Sequence, residues 1–284
     1  MKVLFISDYS LSHTIGGAQR SNHLIYQKGI SLGHDITMLH IDMEYQGLLN
    51  QEYDVVISSN MEAFFSYKKD VFNYCCGVNN HVRLEHDMCR YLDQDSRKSL
   101  FGNCKKSFFL TEHHINKFRK NYGDIFKNVV IVSDPISKEV FYDYGNQRSK
   151  EILYAGFMHP FKGTDNFLQY AKENPRDQFA VVGWGSNEYI DHINSNCDNV
   201  KYLGSTDYEM MPKVYNYFES MYYCPVIDEP FCRSVGEAIM CGMQIIGGSD
   251  RIGCLNTVNK YGRDKFITDC DRADTLFWQE LEDV

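Results

Sequence analysis

No apolar run in the sequence approaches the roughly 20 residues that a membrane-spanning helix requires, so stable membrane insertion is not expected. The apolar stretch at the start, Val3-Leu4-Phe5-Ile6, is too short for a secretory signal and reads as a first strand. The ten cysteines include no Cys-x-x-Cys pair and no cysteine–histidine cluster at zinc spacing. A metal is therefore not expected, and a reduced, cytoplasmic setting is. The absence of internal repeats, low-complexity tracts and heptads excludes a solenoid or a coiled coil. No Gly-x-Gly-x-x-Gly follows the first strand, so a dinucleotide site is not supported there. A formal net charge of −9 argues against indiscriminate binding to nucleic acid or to an anionic membrane.

What is present is a composition able to bury sizeable cores, 43% hydrophobic and 24% charged over 284 residues. Short β-type runs alternate with helix-like segments from end to end. Strands are expected over residues 2–7, 35–39, 54–58, 82–85, 107–110 and 129–132, then 152–156, 179–183, 200–203, 220–224 and 244–247. Helices are expected over 18–31, 61–69, 112–122, 165–173, 188–194, 208–217 and 234–241. Continuous alternation of this kind predicts an α/β protein with parallel sheets and crossover helices. The polar stretch 144–150 has no periodicity, and a fresh strand–loop–helix begins after it. Two Rossmann-like doubly wound domains, 1–147 and 148–284, are thus expected to face a central cleft, with ligands beyond the carboxyl ends of the strands.

The richest segment is Glu229-Pro230-Phe231-Cys232-Arg233-Ser234-Val235-Gly236-Glu237, followed by Ala238-Ile239-Met240-Cys241-Gly242. An apolar strand ends just before it, and Pro225 and Pro230 cannot continue a ladder. Glu229 then sits on the loop at the strand's carboxyl end, and Glu237 about one turn into a helix. Arg233 precedes Glu237 by four residues, so the two share a helix face. Carboxylates accept hydrogen bonds from vicinal sugar hydroxyls, and a helix start offers free N–H groups to a phosphate.

That segment resembles the Glu-x7-Glu signature of the family-4 glycosyltransferases, which have the GT-B fold. The resemblance implies that Glu229 contacts the transferred sugar, that Glu237 binds the ribose, and that Phe231, Cys232 and Arg233 line the donor site. Cys232 stands where the family has glycine. Gly156-Phe157-Met158-His159-Pro160-Phe161-Lys162-Gly163 resembles the family's Gly-Arg-x4-Lys-Gly segment, whose two cations neutralise the diphosphate. Lys162 matches; Phe157 replaces the arginine, leaving Arg233, Arg251 and His159 as candidate substitutes. Gly16 and Gly17 match a glycine pair that lets a loop meet the donor phosphates. In Arg83-Leu84-Glu85-His86-Asp87, His86 falls where a family histidine reaches the transferred sugar, and Asp87 is a candidate proton acceptor. The alternative for His86 is a satisfied core histidine. Trp184, in a strand-end Gly-Trp-Gly, either stacks on a base or packs inside.

The resemblance implies metal-independent transfer, with retention, from a UDP- or GDP-type nucleotide-diphosphate sugar, without further cofactor. The acceptor is either a glycan or lipid-linked sugar, or a hydroxymethylated base in viral DNA. Residues 97–127 carry eight basic residues against Glu112 and Asp124, a local excess of +6. This is either a solvated helix face or a platform for an anionic acceptor. Two further classes compete: a non-catalytic nucleotide-sugar binder, suggested by Phe157, and a sugar-nucleotide epimerase. The tail after Arg263 is expected to give an abbreviated closing helix that returns to the first domain.

Overall fold

Every β-type run read from the sequence becomes a strand, and all strand pairs are parallel. A computed structural model describes the chain from Met1 to Val284 apart from Thr14, Ile15, Cys89, Arg90, Asp283 and the side chain of Asn196. It divides into two units: Met1–Pro135 with Thr268–Val284, and Ile136–Ile267.

The first unit runs β1 (Lys2–Ser7), α1 (Gly17–Ser31), β2 (Asp35–Leu39), α2 (Gln46–Leu49), β3 (Val55–Ser59), α3 (Glu62–Tyr67), α4 (Lys69–Gly77), β4 (His81–Leu84), α5 (Gln94–Gly102), β5 (Lys106–Phe109), α6 (Glu112–Tyr122) and β6 (Val129–Ile131). The second runs β7 (Ser149–Met158), α7 (Thr164–Glu173), β8 (Phe179–Gly185), α8 (Asn187–Asn196), β9 (Val200–Tyr202), α9 (Met211–Tyr217), β10 (Phe218–Tyr222), α10 (Arg233–Met240), β11 (Gln244–Ile246), α11 (Gly253–Tyr261) and the start of α12 (Arg263–Asp271). α13 (Ala273–Gln279) belongs to the first unit.

The sheet orders are β2-β1-β3-β4-β5-β6 and β11-β10-β7-β8-β9. Each reverses direction once, between β1 and β3 in the first sheet and between β7 and β10 in the second. Loops leaving the two strands at such a point diverge and leave a crevice beyond their carboxyl ends. The inner strands of the first sheet, β1, β3, β4 and β5, are buried on both faces, as a parallel sheet covered by helices requires. Along β1 the side chains alternate between two cores. Leu4 and Ile6 join Val56, Phe64, Phe101 and Phe118, whereas Val3 and Phe5 join Ile25, Ile57, Phe277 and Trp278.

The second core explains the tail. Trp278 is 1% exposed, donates its Nε1–H to the carbonyl of Ile25 at 2.8 Å, and packs where Gly29 of α1 has no side chain. Residues after Arg263 thus form α12 and α13, more helix than the short closing segment expected. The polar stretch 144–150 lies inside the second unit, tied there by Asn216, which accepts from the Tyr144 N–H at 2.8 Å, and by an Arg148–Asp143 ion pair at 2.7 Å. The chain therefore changes units earlier, after Pro135. The helix expected over 61–69 breaks at Lys68, whose φ of −137° and ψ of 67° are not helical, into α3 and α4. Among the described residues no helix is long and apolar enough to cross a membrane.

A Cβ on Gly29 would lie 2.6 Å from the Trp278 Cε2 and against Ile36. Gly29→Ala gains up to ~1 kcal/mol of helix propensity but overpacks a stiff indole at about 1–3 kcal/mol. Urea unfolding is expected to show a net loss of about 1–2 kcal/mol. Gly102→Ala in α5, with nothing within 4 Å, is expected to be neutral or slightly stabilising.

Candidate functional site

Two loops at the β7/β10 reversal build the site. The loop after β7 is fixed from inside: Thr164 Oγ1 accepts from the His159 N–H at 2.8 Å and lies 3.0 Å from the Tyr154 hydroxyl. Gly163 turns with φ +79°, packed so closely on the Cys224 carbonyl that a side chain cannot fit. The loop after β10 is laced to it, because Val226 N–H donates to the Phe161 carbonyl at 3.0 Å and Asn166 to the Cys224 carbonyl at 2.9 Å. Lys162 is thereby held with its Nζ 2.7 Å from Glu229 Oε1. Glu229 is anchored through its backbone, its N–H donating to the Arg251 carbonyl at 2.8 Å and its own carbonyl accepting from Gly253 at 3.0 Å. The Tyr223 hydroxyl donates to the same Glu229 oxygen at 3.1 Å.

Glu237, on α10, is more deeply enclosed. Its Oε1 accepts from Arg233 Nε at 2.9 Å and Tyr208 OH at 2.7 Å, and its Oε2 from Tyr215 OH at 3.4 Å. Burial raises its pKa, and Arg233 and the two phenols offset part of that rise. The same burial, with Glu237 alongside, pushes the Tyr208 hydroxyl well above its usual range, so it stays a donor. The two acid–base pairs differ in access. Lys162 is 37% exposed, whereas the Arg233 and Glu237 side chains are 8% and 4% exposed. The first is the more open to a ligand; in the second, Glu237 Oε1 is held by Arg233 and Tyr208, while Oε2 has only the longer Tyr215 contact.

Cys232 precedes α10 with φ 72° and ψ 84°, left-handed backbone that suits the glycine it replaces. Burial, then the nearby Glu229 charge, lift its thiol to about 12, so it remains protonated. Phe231 is 2% exposed and stacks on Phe266, with ring centroids 5.9 Å apart; its side chain belongs to the core. Phe157 lies with its ring 4.1 Å from that of Trp184, which is 55% exposed. Of the candidate substitute cations, Arg233 is engaged by Glu237, Arg251 donates to the Pro225 carbonyl at 3.2 Å, and His159 accepts from the Phe161 N–H at 3.2 Å.

In the first unit, α1 begins at Gly17 with Gly16 as its cap, which has no side chain to bond the first N–H groups. His86 is buried, its Nε2 2.9 Å from Asn22 Oδ1 and its Nδ1 3.7 Å from Asp134 Oδ1. Ser21 donates to that Asp134 oxygen at 2.7 Å, and Ser59 to the Asn22 oxygen at 3.1 Å. Asp87 is exposed; its carboxylate accepts from the Met88 N–H at 3.0 Å and its carbonyl is 2.9 Å from His114 Nε2. Beneath this turn, Arg83 and Glu85 form a fully buried pair at 2.7 Å. Burial, then Glu85, raise the Glu62 carboxyl to about 7. Burial raises Asp8 to about 6.

The basic stretch 97–127 is partly absorbed by the fold. Arg97 is buried against the Tyr122 ring at 3.8 Å and bonds the Leu92 carbonyl, Lys106 pairs with Glu280 at 3.1 Å, and Arg119 lies 3.5 Å from Asp124. Sequence reasoning missed Tyr208, Tyr215, Tyr223, Asn22 and Asp134. Tyr208 and Tyr215 stand seven residues apart in an expected helix, a same-face spacing that could have paired them with Glu237.

Gly163→Ala is expected to cost more than about 2 kcal/mol in urea unfolding, through strained φ and a clash with rigid backbone. A carboxyl whose folded pKa is raised stabilises fully below its unfolded pKa and loses that contribution as pH rises through the folded value. Glu62→Gln should therefore change little at pH 4 and stabilise at pH 8, by about 1–3 kcal/mol. Equal effects at both pH values would contradict the raised pKa of Glu62.

Similarity to known proteins agrees with this architecture. Residues 139–279 match the family model for glycosyl transferases group 1. Comparison with curated protein sequences gives no match. Among solved structures, a glycosyltransferase from Rickettsia africae ESF-5 superposes with a TM-score of 0.68 at 14% identity, over 99% of this chain and 98% of that one. HepE of Anabaena in complex with UDP-glucose gives 0.64 at 15%, over 98% and 95%. Sucrose-phosphate synthase from Thermosynechococcus elongatus gives 0.66 at 12%, over 99% and 96%. The fold is that of the GT-B glycosyltransferases, and the stretch from residue 139 to 279 carries the group 1 glycosyl transferase pattern.

Proposed function

We propose that the protein is a glycosyltransferase that moves a sugar from a nucleotide-diphosphate sugar to an acceptor hydroxyl. The observation that carries this reading is the Lys162–Glu229 pair at the carboxyl edge of β7 and β10, one helix start away from Glu237. The group 1 match spans all three residues, and a structural neighbour, HepE, holds UDP-glucose.

In this reading the donor diphosphate draws the Lys162 ammonium away from Glu229, with the N-terminus of α10 adding N–H groups. Glu229, released from its ion pair, accepts from hydroxyls of the transferred sugar. Glu237 accepts from the ribose hydroxyls, held in place by Tyr208 and Tyr215. As the sugar–phosphate bond breaks, negative charge grows on the diphosphate, and Lys162 stabilises it more in the transition state than in the ground state. We assign His86 the positioning of the transferred sugar and Asp87 the role of proton acceptor, with retention of configuration, on the strength of the Glu-x7-Glu resemblance. Gly16 and Gly17 approach the donor phosphates in the same reading. No metal or organic cofactor is invoked, and the donor is a UDP or GDP sugar. For the acceptor, a glycan or lipid-linked sugar is preferred to a hydroxymethylated DNA base, because the basic stretch 97–127 is partly consumed by internal pairs.

Calorimetric titration with UDP and GDP tests the donor site. One of them should bind, and Lys162→Met should weaken it by about tenfold or more, the loss of one charge-assisted contact. Glu229→Gln should abolish turnover of the matching sugar nucleotide while leaving the nucleoside diphosphate bound, and EDTA should leave turnover unchanged. Binding of neither nucleotide would refute the assignment. Donor conversion without acceptor would favour an epimerase instead.

A further inference from the structure

At the carboxyl edge of β7 and β8 the rings of Trp184, Phe157, His159 and Phe161 follow one another, with successive centroids 4.1, 5.3 and 4.8 Å apart. The two ends of this ladder, Trp184 and Phe161, are 55% and 54% exposed. Such exposure of large aromatics has no folding benefit, since burial rather than hydration is what favours them. Beside the ladder lies a recess of about 560 Å³ that Phe157, His159, Asp165, Glu188, Tyr189 and His192 help to line. The Tyr189 hydroxyl donates to Asp165 at 2.9 Å, so one wall is already ordered. The lining holds two carboxylates and neither lysine nor arginine.

The recess shares Phe157 and His159 with the loop that carries Lys162, but its acidic wall, Asp165 and Glu188, stands apart from Glu237. Right-handed crossovers from β7 to β8 to β9 place α7 and α8 on one face of the sheet, and the return to β10 and β11 places α9 and α10 on the other. Tyr154, Phe167 and Ile193 share the core on the α7/α8 side, where the recess opens. Glu237, on α10, belongs to the opposite face.

We infer that this recess is a second carbohydrate subsite, taking an unphosphorylated sugar ring. Trp184 and Phe161, the exposed ends of the ladder beside the recess, carry negative quadrupoles on their faces that attract the C–H-rich face of a pyranose. Asp165 and Glu188 accept hydrogen bonds from hydroxyls at its rim, and Tyr189 and the histidines supply mixed donors and acceptors. Two carboxylates without a cation repel a phosphate, which separates this ligand from the nucleotide sugar. The inference does not depend on the glycosyltransferase reading.

Saturation-transfer NMR with maltotriose, lactose and chitotriose, each to about 50 mM, tests it well above the millimolar regime of weak binding. At least one should receive saturation from the protein. Its affinity should fall about tenfold or more in the double variant Asp165→Asn/Glu188→Gln and in Phe157→Ala. The double variant should bind UDP or GDP as the parent does. No transfer to any of the three, or transfer unchanged in both variants, overturns the proposal. So does glucose 6-phosphate binding as tightly as glucose, or a trilysine peptide binding where the saccharides do not.

Discussion

Everything at the site follows from one topological constraint on a parallel sheet. Crossovers of a single hand cannot add strands on both sides of β7 without sending the chain over opposite faces. The loops leaving β7 and β10 must then part, and the backbone groups at their ends lose sheet partners. This protein resolves that loss by tying the two loops to each other through Phe161, Val226, Asn166 and Cys224. Lys162 and Glu229 meet at this junction, with Nζ 2.7 Å from Oε1.

The carboxylates illustrate how burial is made tolerable in different ways. Glu237 keeps three donors around it, so its charge is stabilised by local dipoles and one guanidinium. Glu229 has a phenol and a half-exposed ammonium, a softer environment that a ligand can compete for. Glu85 shares a fully enclosed pair with Arg83, while nearby Glu62 has shifted its protonation equilibrium toward neutrality. How completely each charge is satisfied thus sets how readily a ligand can compete for it.

Much of this was legible in the sequence because both periodicities are strong. The strands were readable as β-branched or aromatic runs, and β2 and α6 have the bounds expected of them. Glu229, Glu237 and Arg233 could be singled out because short-range spacing sets helix faces and loop ends, and Lys162 through the resemblance of its segment to the family's Lys-Gly pattern. α5 and α12 were not legible, since their sequences are polar and short of apolar periodicity, whereas α11 was missed although it is as amphipathic as α8. The bond from Asn22 to His86 and the ion-pair distance from His86 to Asp134 join residues 64 and 48 positions apart, which no local pattern encodes. The break at Lys68 was equally hidden, because the residues on either side are both compatible with helix.

The docking of Trp278 under α1 has a bearing on how the chain is made. The first unit lacks part of its apolar lining until residues 273–281 are synthesised, because Ala273, Phe277, Trp278 and Leu281 pack with Val3 and Phe5. At about 5–20 residues per second, roughly 7–30 s separate the synthesis of Pro135 from that of Val284. Over that interval the amino-terminal sheet carries an uncovered hydrophobic face, whereas the second unit already holds its whole sequence once Ile267 has emerged. The part of the protein translated first is accordingly the part whose folding is completed last.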